Sequence, residues 1–407
     1  MKSFLNKRIS PPILNHTYNK QIEQYRGLCA LLVMLIHATA SENFLINSFH
    51  WPEFVHYFGA GYLSVILFFC ISGYAIAVSH DSTTLNIKHY IKKRLVRLYP
   101  VYLIAIILCV IIVTNINIFV LVGNLFFLQN SSAYGNYHIP VFINYATWSL
   151  NYEVLYYALF IPLFFIQPKL WQLLLLMVLL SVIFINTNQQ IQFIFNYING
   201  YYFWLIGLLF GWKIIKRDNA TNKPIPLLSM LFLQLCQHHL GIGVIILHVF
   251  DIHASTNFNW IFDIPFCLMI MAILTNTNNT FLRFNKVICY AIPSTVFVYL
   301  ILHDRLLENE RWIMCLIFWL LSLLFYAEKN LSTMILHKLT AVGKISYSLY
   351  LLHVPLAMLI RKTVFFNQRP LEITVKYTLW LILTFGLSFL LDKIYQPAIK
   401  KFFELKS

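Results

Sequence analysis

The sequence predicts an all-α fold: a polytopic transmembrane helical bundle of ten to twelve spans with both termini cytoplasmic. Three observations carry that reading. The 407-residue chain is 59% hydrophobic and only 11% charged, where soluble domains carry about 25% charged residues. Long apolar runs recur from one end of the chain to the other, as membrane-crossing helices require. Basic residues gather in the short polar stretches between those runs, as they do in cytoplasmic loops. The alternating segments of about ten residues that a transmembrane barrel needs are not found.

The apolar runs centre near residues 27–45, 59–79, 98–116, 146–166, 170–186, 197–214, 226–249, 260–275, 287–303, 312–327, 346–361 and 374–392. From a cytoplasmic N-terminus, twelve crossings return the C-terminus to the same side. The basic stretches 80–97, 213–224, 276–286, 328–345 and 393–407 then all fall inside. Ten crossings would do the same, and 260–327 is where one pair is ambiguous. The expected organisation is a cytoplasmic tail over 1–24, a membrane domain over 25–395 and a cytoplasmic tail over 396–407. The first 24 residues lack the apolar core of a signal peptide. Segment 117–145 is interrupted by Gly, Asn, Ser and Pro but keeps Phe126, Phe127 and Leu128, so it reads as a re-entrant or interfacial loop over a cavity.

The net charge of +15 follows from this topology and does not call for a nucleic acid. Only the cluster Lys88, Lys92, Lys93, Arg94 and Arg97 stands apart as a candidate polyanion site. The seven cysteines, Cys29, Cys70, Cys109, Cys236, Cys267, Cys289 and Cys315, lie in or beside apolar runs with no CxxC. They read as small hydrophobes, so neither a disulfide framework nor a metal site is expected.

The first apolar run, YRGLCALLVMLIHATA, carries Arg26 and His37. Eleven residues is close to three full helical turns, so the two side chains share a face. They lie about 16 Å apart along the axis, roughly half the hydrocarbon thickness. An Arg at the membrane mouth can snorkel and a membrane His can bond a neighbouring helix, but ionisable groups sharing one inward face mark a functional path.

Four further motifs follow. In KKRLVRLYP, Arg94 and Arg97 share a helical face; they read either as a positive-inside anchor or as a phosphate clamp. In TWSLNYEVLYY, Glu153 lies four residues from both Ser149 and Tyr157, with Trp148 and Tyr152 on a neighbouring stripe. A carboxylate beginning a membrane span is costly unless paired or catalytic. In GKISYSLYLLHVPL, Ser346, Tyr350 and His353 form one polar stripe, for function or for interhelical hydrogen bonding. In GYLSVILFFCISGYAI, Gly61, Ser72 and Gly73 permit close helix packing or a break lining a cavity. Of the remaining polar residues, Asp392 could pair with Lys393 or an arginine. His238 and His239 have no obvious carboxylate partner, and His303, Asp304 and Arg305 read as an outer-rim cluster.

Together these elements resemble the acyltransferase 3 family of integral membrane O-acyltransferases. Arg26-x10-His37 matches the family's first-helix hallmark, and FFCISGY (68–74) is similar to its FF-x-x-SG-[FY] helix. RLVRLYP (94–100) is similar to its R-x-x-R element, WSLNYEVLYY (148–157) to its WSL-x-x-E helix, and GKISYSLYLLH (343–353) to its SY-x-x-YL-x-H helix. The motifs occur in family order, and the resemblance runs from residue 25 to the C-terminus. Two departures stand out. The family's Glu-x-Pro near the last helix reads KIYQPAI here, with Gln396 before Pro397, so no role of that Glu carries over. The family core commonly has ten helices, and up to twelve are counted here.

The resemblance implies transfer of an acyl group, usually acetyl, from cytoplasmic acyl-CoA to a hydroxyl of a carbohydrate outside the bacterial inner membrane, with no bound cofactor. The acceptor would be a surface carbohydrate such as lipopolysaccharide O-antigen or exopolysaccharide. Arg94 and Arg97 would hold the CoA phosphates, and His37 would deprotonate the acceptor hydroxyl. Arg26 would orient the donor or stabilise the thioester oxyanion, and Glu153 would position or tune a neighbour. Ser72, Trp148, Ser149, Ser346, Tyr350 and His353 would line the cavity on the acceptor side. The competing reading is a secondary transporter or flippase for a lipid-linked sugar. Intramembrane ionisable residues suit one, but no matched pair of broken helices marks two inverted halves.

Overall fold

A computed structural model describes residues 16–40, 44–46, 49–80, 84–113, 115–129, 139–183, 189–215, 226–249, 259–363 and 369–403. The described residues are helices joined by turns and short links, with no strand among them. In chain order the helices are α1 (His16–Ala40), α2 (Glu53–His56), α3 (Gly61–Ser79), α4 (Ile87–Ile112), α5 (Ile118–Leu125) and α6 (Trp148–Ile166). A single 3-10 turn, Tyr145–Thr147, leads into α6. There follow α7 (Leu170–Ile183), α8 (Gln189–Gly211), α9 (Leu227–Leu240), α10 (Ile242–Val249), α11 (Asn259–Leu274) and α12 (Thr280–Leu302). The last six are α13 (Glu310–Ala327), α14 (Lys329–Lys338), α15 (Thr340–Gly343), α16 (Ser346–Arg361), α17 (Arg369–Leu390) and α18 (Gln396–Phe402), with a π-helical turn at Leu391–Tyr395 before α18.

Local chemistry sets several of the starts. The side chains of Asn86, Asn117, Asn279 and Asn309 each accept a backbone N–H from the first turn of α4, α5, α12 and α13, replacing the partner that a helix start lacks. Six segments among the described residues are long and apolar enough to cross a membrane: Glu53–Ser79, Ile87–Ile112, Tyr145–Ile166, Thr280–Leu302, Glu310–Ala327 and Pro370–Phe402. Leu170–Ile183 and Trp260–Leu274 are apolar but shorter. Large apolar side chains such as Ile111, Phe119, Ile183 and Leu302 are turned outward, as a lipid-facing surface requires.

The core is built on close backbone contact. At Gly73 a Cβ would overlap the Trp204 carbonyl of α8, and at Gly207 it would overlap the Cys70 carbonyl of α3. The two glycines interlock α3 with α8, the small-residue packing that membrane helices use. With Gly73 in that interface, Ser72 faces the other way. A second close approach joins α1 to α15. A Cβ on Gly27 would meet the Leu339 carbonyl, and one on Gly343 would overlap the Glu23 carbonyl.

Three expectations are modified. The run 226–249 is broken at Gly241, whose φ of +64° is left-handed and favours glycine, so it forms α9 and α10. The stretch 328–345 is not a plain loop, because α14 and α15 fold against α1. Helix α1 begins at His16, inside the segment assigned to the N-terminal tail. In segment 117–145 the helix α5 takes up Ile118–Leu125, and the residues after it are tied back through Asn124. Asn124, 1% exposed, donates to the carbonyls of Val120 and Pro140 and accepts the Phe142 N–H, while its own carbonyl accepts the Tyr102 hydroxyl. Residues 130–138 of that segment lie outside the described residues.

Gly73→Ala and Gly207→Ala should each destabilise the detergent-solubilised protein by about 1–3 kcal/mol, the usual range for overpacking. At Gly386 a Cβ would meet nothing within 4 Å, so Gly386→Ala should be neutral or stabilising. Thermal unfolding measured by size-exclusion fluorescence checks this; equal behaviour of all three variants would contradict the interlock.

Candidate functional site

Helices α1, α3, α4, α6 and α16 surround a cavity of about 320 Å³. Its polar wall holds Glu23, Arg26, Arg97 and Glu153 together with serine and tyrosine hydroxyls; Val65, Phe68 and Phe69 are on the apolar wall. Of the residues singled out from sequence, Arg26, Ser72, Arg97, Ser149, Glu153, Ser346 and Tyr350 line it. Arg94, Trp148, His37 and His353 are not on its wall.

The charges are handled individually. Arg26 Nη1 donates to Glu23 Oε1 at 3.2 Å, leaving its other donors available. Glu153 Oε1 accepts the Tyr157 hydroxyl and lies 3.0 Å from Ser72 Oγ, so two hydroxyls hold this carboxylate. Arg97 has no hydrogen bond or ion pair from its side chain among the described residues. Arg94 points elsewhere: 6% exposed, it lies over the rings of Tyr90 and Tyr157 at 5.5 and 5.4 Å and donates to Ser79 Oγ at 2.9 Å. The i,i+3 pair therefore splits, with Arg97 on the cavity wall and Arg94 one layer behind it, joined to the wall through Ser79.

Two prolines shape the region. Pro100 inside α4 cannot donate to the carbonyl of Val96, and Gln396 Nε2 donates to that carbonyl at 2.7 Å and to Arg97's at 3.3 Å. A carboxylate has no hydrogen to donate here, which accounts physically for Gln396 in this chain. Pro355 inside α16 likewise frees the carbonyl of Leu351, and Asn144 Nδ2 donates to it at 2.8 Å. Asn144 precedes the turn Tyr145–Thr147, which is pinned again by the Tyr350 hydroxyl donating to the Ala146 carbonyl. With its one hydrogen used there, Tyr350 accepts from Ser149 Oγ at 2.8 Å.

That pinned turn presents Tyr145 edge-on to His37, with ring centroids 4.9 Å apart at 82°. His37 Nδ1 lies 2.7 Å from His353 Nε2. His353 is 0% exposed, its Nδ1 is 3.0 Å from the Leu349 carbonyl, and its own carbonyl accepts Trp380 Nε1 at 2.8 Å. Tyr350 bridges the two regions: it lines the cavity, and its ring centroid is 6.2 Å from that of His353. The arrangement is a charged cavity joined through a tyrosine to a pair of hydrogen-bonded imidazoles.

Other polar residues fall into place around it. Asp392 Oδ2 accepts the Ser348 N–H at 3.2 Å, so it bonds the first turn of α16. His238 does have a carboxylate neighbour: Asp263, 1% exposed, lies 4.0 Å from its Nδ1. Glu23, Asn144, Tyr145 and Tyr347 were not singled out from sequence. Glu23 could have been, since it is three residues before Arg26; the others carry no local signal.

A family model described as an acyltransferase domain matches residues 19–303. No curated protein and no solved structure matches the chain.

Asn144→Leu should leave the Leu351 carbonyl unpaired and lower stability by about 1–3 kcal/mol. Pro355→Ala restores a backbone donor to that carbonyl, so in its background the same substitution should do less harm. A double-mutant cycle on thermal unfolding measures the coupling; strict additivity would mean that Asn144 is not there to serve the proline.

Proposed function

Because the chain belongs to the acyltransferase domain family and is a membrane acyltransferase, we propose that it moves an acyl group, acetyl in the first instance, from cytoplasmic acyl-CoA to a hydroxyl of an extracytoplasmic carbohydrate such as O-antigen or exopolysaccharide. In this reading ten to twelve helices cross the bacterial inner membrane, with both termini and the Arg97 end of the bundle cytoplasmic. The observation that supports it most directly is Arg97, a guanidinium with no partner among the described residues on the wall of a cavity whose Tyr350 lies beside His353.

The residues divide the work by position. Arg97 meets donor phosphate bidentately, as a planar guanidinium does, and Arg94 adds charge from the second layer and holds Ser79. Arg26 lies about 16 Å from His37 along α1, so it acts on the body of the donor and not on an oxyanion beside His37. Glu153, held by Ser72 and Tyr157, fixes the polar wall. The acyl end of the donor extends past the Ser149–Tyr350 pair to His37. Beyond His37, Trp51 and Tyr377 pack edge to face at the end of α1, with centroids 5.5 Å apart, and offer aromatic surface to the acceptor.

The chemical step needs one base. His37 takes the proton of the acceptor hydroxyl as its oxygen bonds to the thioester carbon. The C–S bond breaks, the thiolate leaves, and the imidazolium returns the proton to give free CoA thiol and neutral His37. Adding labelled acetyl-CoA to membranes tests the whole reading: wild type should transfer label to saccharide, and His37→Ala should not, at equal expression. Label transfer that survives His37→Ala would remove His37 from the reaction. Arg97→Ala should weaken acetyl-CoA binding to purified protein about tenfold to a hundredfold, the scale of losing charge-assisted hydrogen bonds. Arg94→Ala should weaken it less, and unchanged affinity in Arg97→Ala would make that residue a topology signal alone.

A further inference from the structure

We infer that His353 is a positioning residue that fixes the tautomer and orientation of His37 and so leaves His37 Nε2 as the basic nitrogen. This deepens the proposed function and rests on it.

The inference follows from hydrogen-bond accounting. A carbonyl oxygen only accepts, so His353 Nδ1, 3.0 Å from the Leu349 carbonyl, carries the hydrogen. In a neutral ring the other nitrogen, Nε2, then holds a lone pair. His37 Nδ1 is 2.7 Å from it, so that nitrogen carries a hydrogen and donates. The lone pair of His37 is left on Nε2, the one ring nitrogen of the two residues without a partner among the described residues. The order is Leu349 carbonyl, His353, His37, then substrate.

The ring geometry agrees. The imidazoles are 9° from parallel with centroids 5.0 Å apart. For a 2.7 Å N···N contact that centroid separation is near the longest attainable, reached only when both nitrogens lie on the line joining the ring centres. The contact is therefore in the plane of both rings, along the N–H and the lone pair. The rings are joined edge to edge and are not stacked face on face.

The surroundings hold His353 more firmly than His37. His353 is fully buried, its carbonyl accepts Trp380 Nε1, and it lies in the proline-kinked α16. Tyr145 closes one side of His37. No carboxylate among the described residues forms an ion pair with either ring, so the orienting group is a neutral acceptor, where hydrolase triads use an acid.

Two near-isosteres of histidine separate this role from packing. Glutamine can place its amide oxygen near the Nε2 position and accept from His37. Asparagine can donate to the Leu349 carbonyl in place of Nδ1, but it is too short to reach His37. In membranes supplied with acetyl-CoA, His353→Asn should lower the maximal rate of CoA thiol release about a hundredfold, the scale of losing an oriented base. The half-saturating acetyl-CoA concentration should stay within about twofold. His353→Gln should restore the rate to within about tenfold of wild type. Equal rates for the two variants, or a loss that appears only in the acetyl-CoA concentration dependence, would overturn the positioning role. His37→Ala run in parallel distinguishes the two levels: full activity there would sink the base assignment itself, whereas loss there with an unaffected His353→Asn sinks only this inference.

Discussion

A polar backbone group left unpaired in an apolar interior costs several kcal/mol, and this constraint organises the site. Pro100 and Pro355 each remove a donor from a helix that runs through lipid-matched packing. The orphaned carbonyls of Val96 and Leu351 are met by side chains from distant parts of the chain, Gln396 and Asn144. These repairs have positional consequences. Gln396 ties α18 to the backbone at Arg97, the guanidinium on the cavity wall. Asn144 ties the turn before α6 to α16, and that turn carries Tyr145 onto His37 and receives the Tyr350 hydroxyl. The kinks and their repairs thus place residues from four regions of sequence around one path.

Charge is arranged along that path in two different ways. In the cavity, carboxylates and guanidiniums share one wall but are not all paired with each other: Glu23 takes Arg26, while Glu153 is satisfied by hydroxyls. Arg97 is left uncommitted, which suits an anionic ligand better than a closed ion-pair network would. Past Tyr350 the described groups in contact are two imidazoles, a phenol ring and backbone carbonyls. The guanidiniums of Arg26 and Arg97 are thus on the cavity wall, and the imidazole pair is away from it.

Much of this was legible in the sequence, and the reasons differ by residue. Arg26 and His37 sit on one helix, so their common face follows from helical pitch alone, and Glu153 with Tyr157 follows the same rule. The all-helical fold follows from composition. The split of Arg94 from Arg97 was not legible, because i,i+3 spacing fixes a face but not which residue a neighbouring helix covers; Tyr90, Tyr157 and Ser79 decide that. Asp263 beside His238 pairs residues on α9 and α11, and no local pattern announces it. The break at Gly241 is a single glycine in an otherwise apolar run. The folding of α14 and α15 against α1 depends on two glycines that read as ordinary until the helices meet.

Those two glycines bring together the segments that lead to His37 and His353, residues 316 positions apart that share a hydrogen bond. Gly27 and Gly343 bring the backbones of α1 and α15 into contact, and a contact that close leaves little freedom in register. Ten residues separate Gly27 from His37, and ten separate Gly343 from His353. Gly27 and His37 lie on one helix, about 15 Å apart along its axis, whereas the path from Gly343 to His353 passes through the turn between α15 and α16. The family match ends at residue 303, well before Gly343, so the matched region contains only one side of this arrangement. The imidazole pair is completed by the remaining part of the chain, which brings His353 to within 2.7 Å of His37.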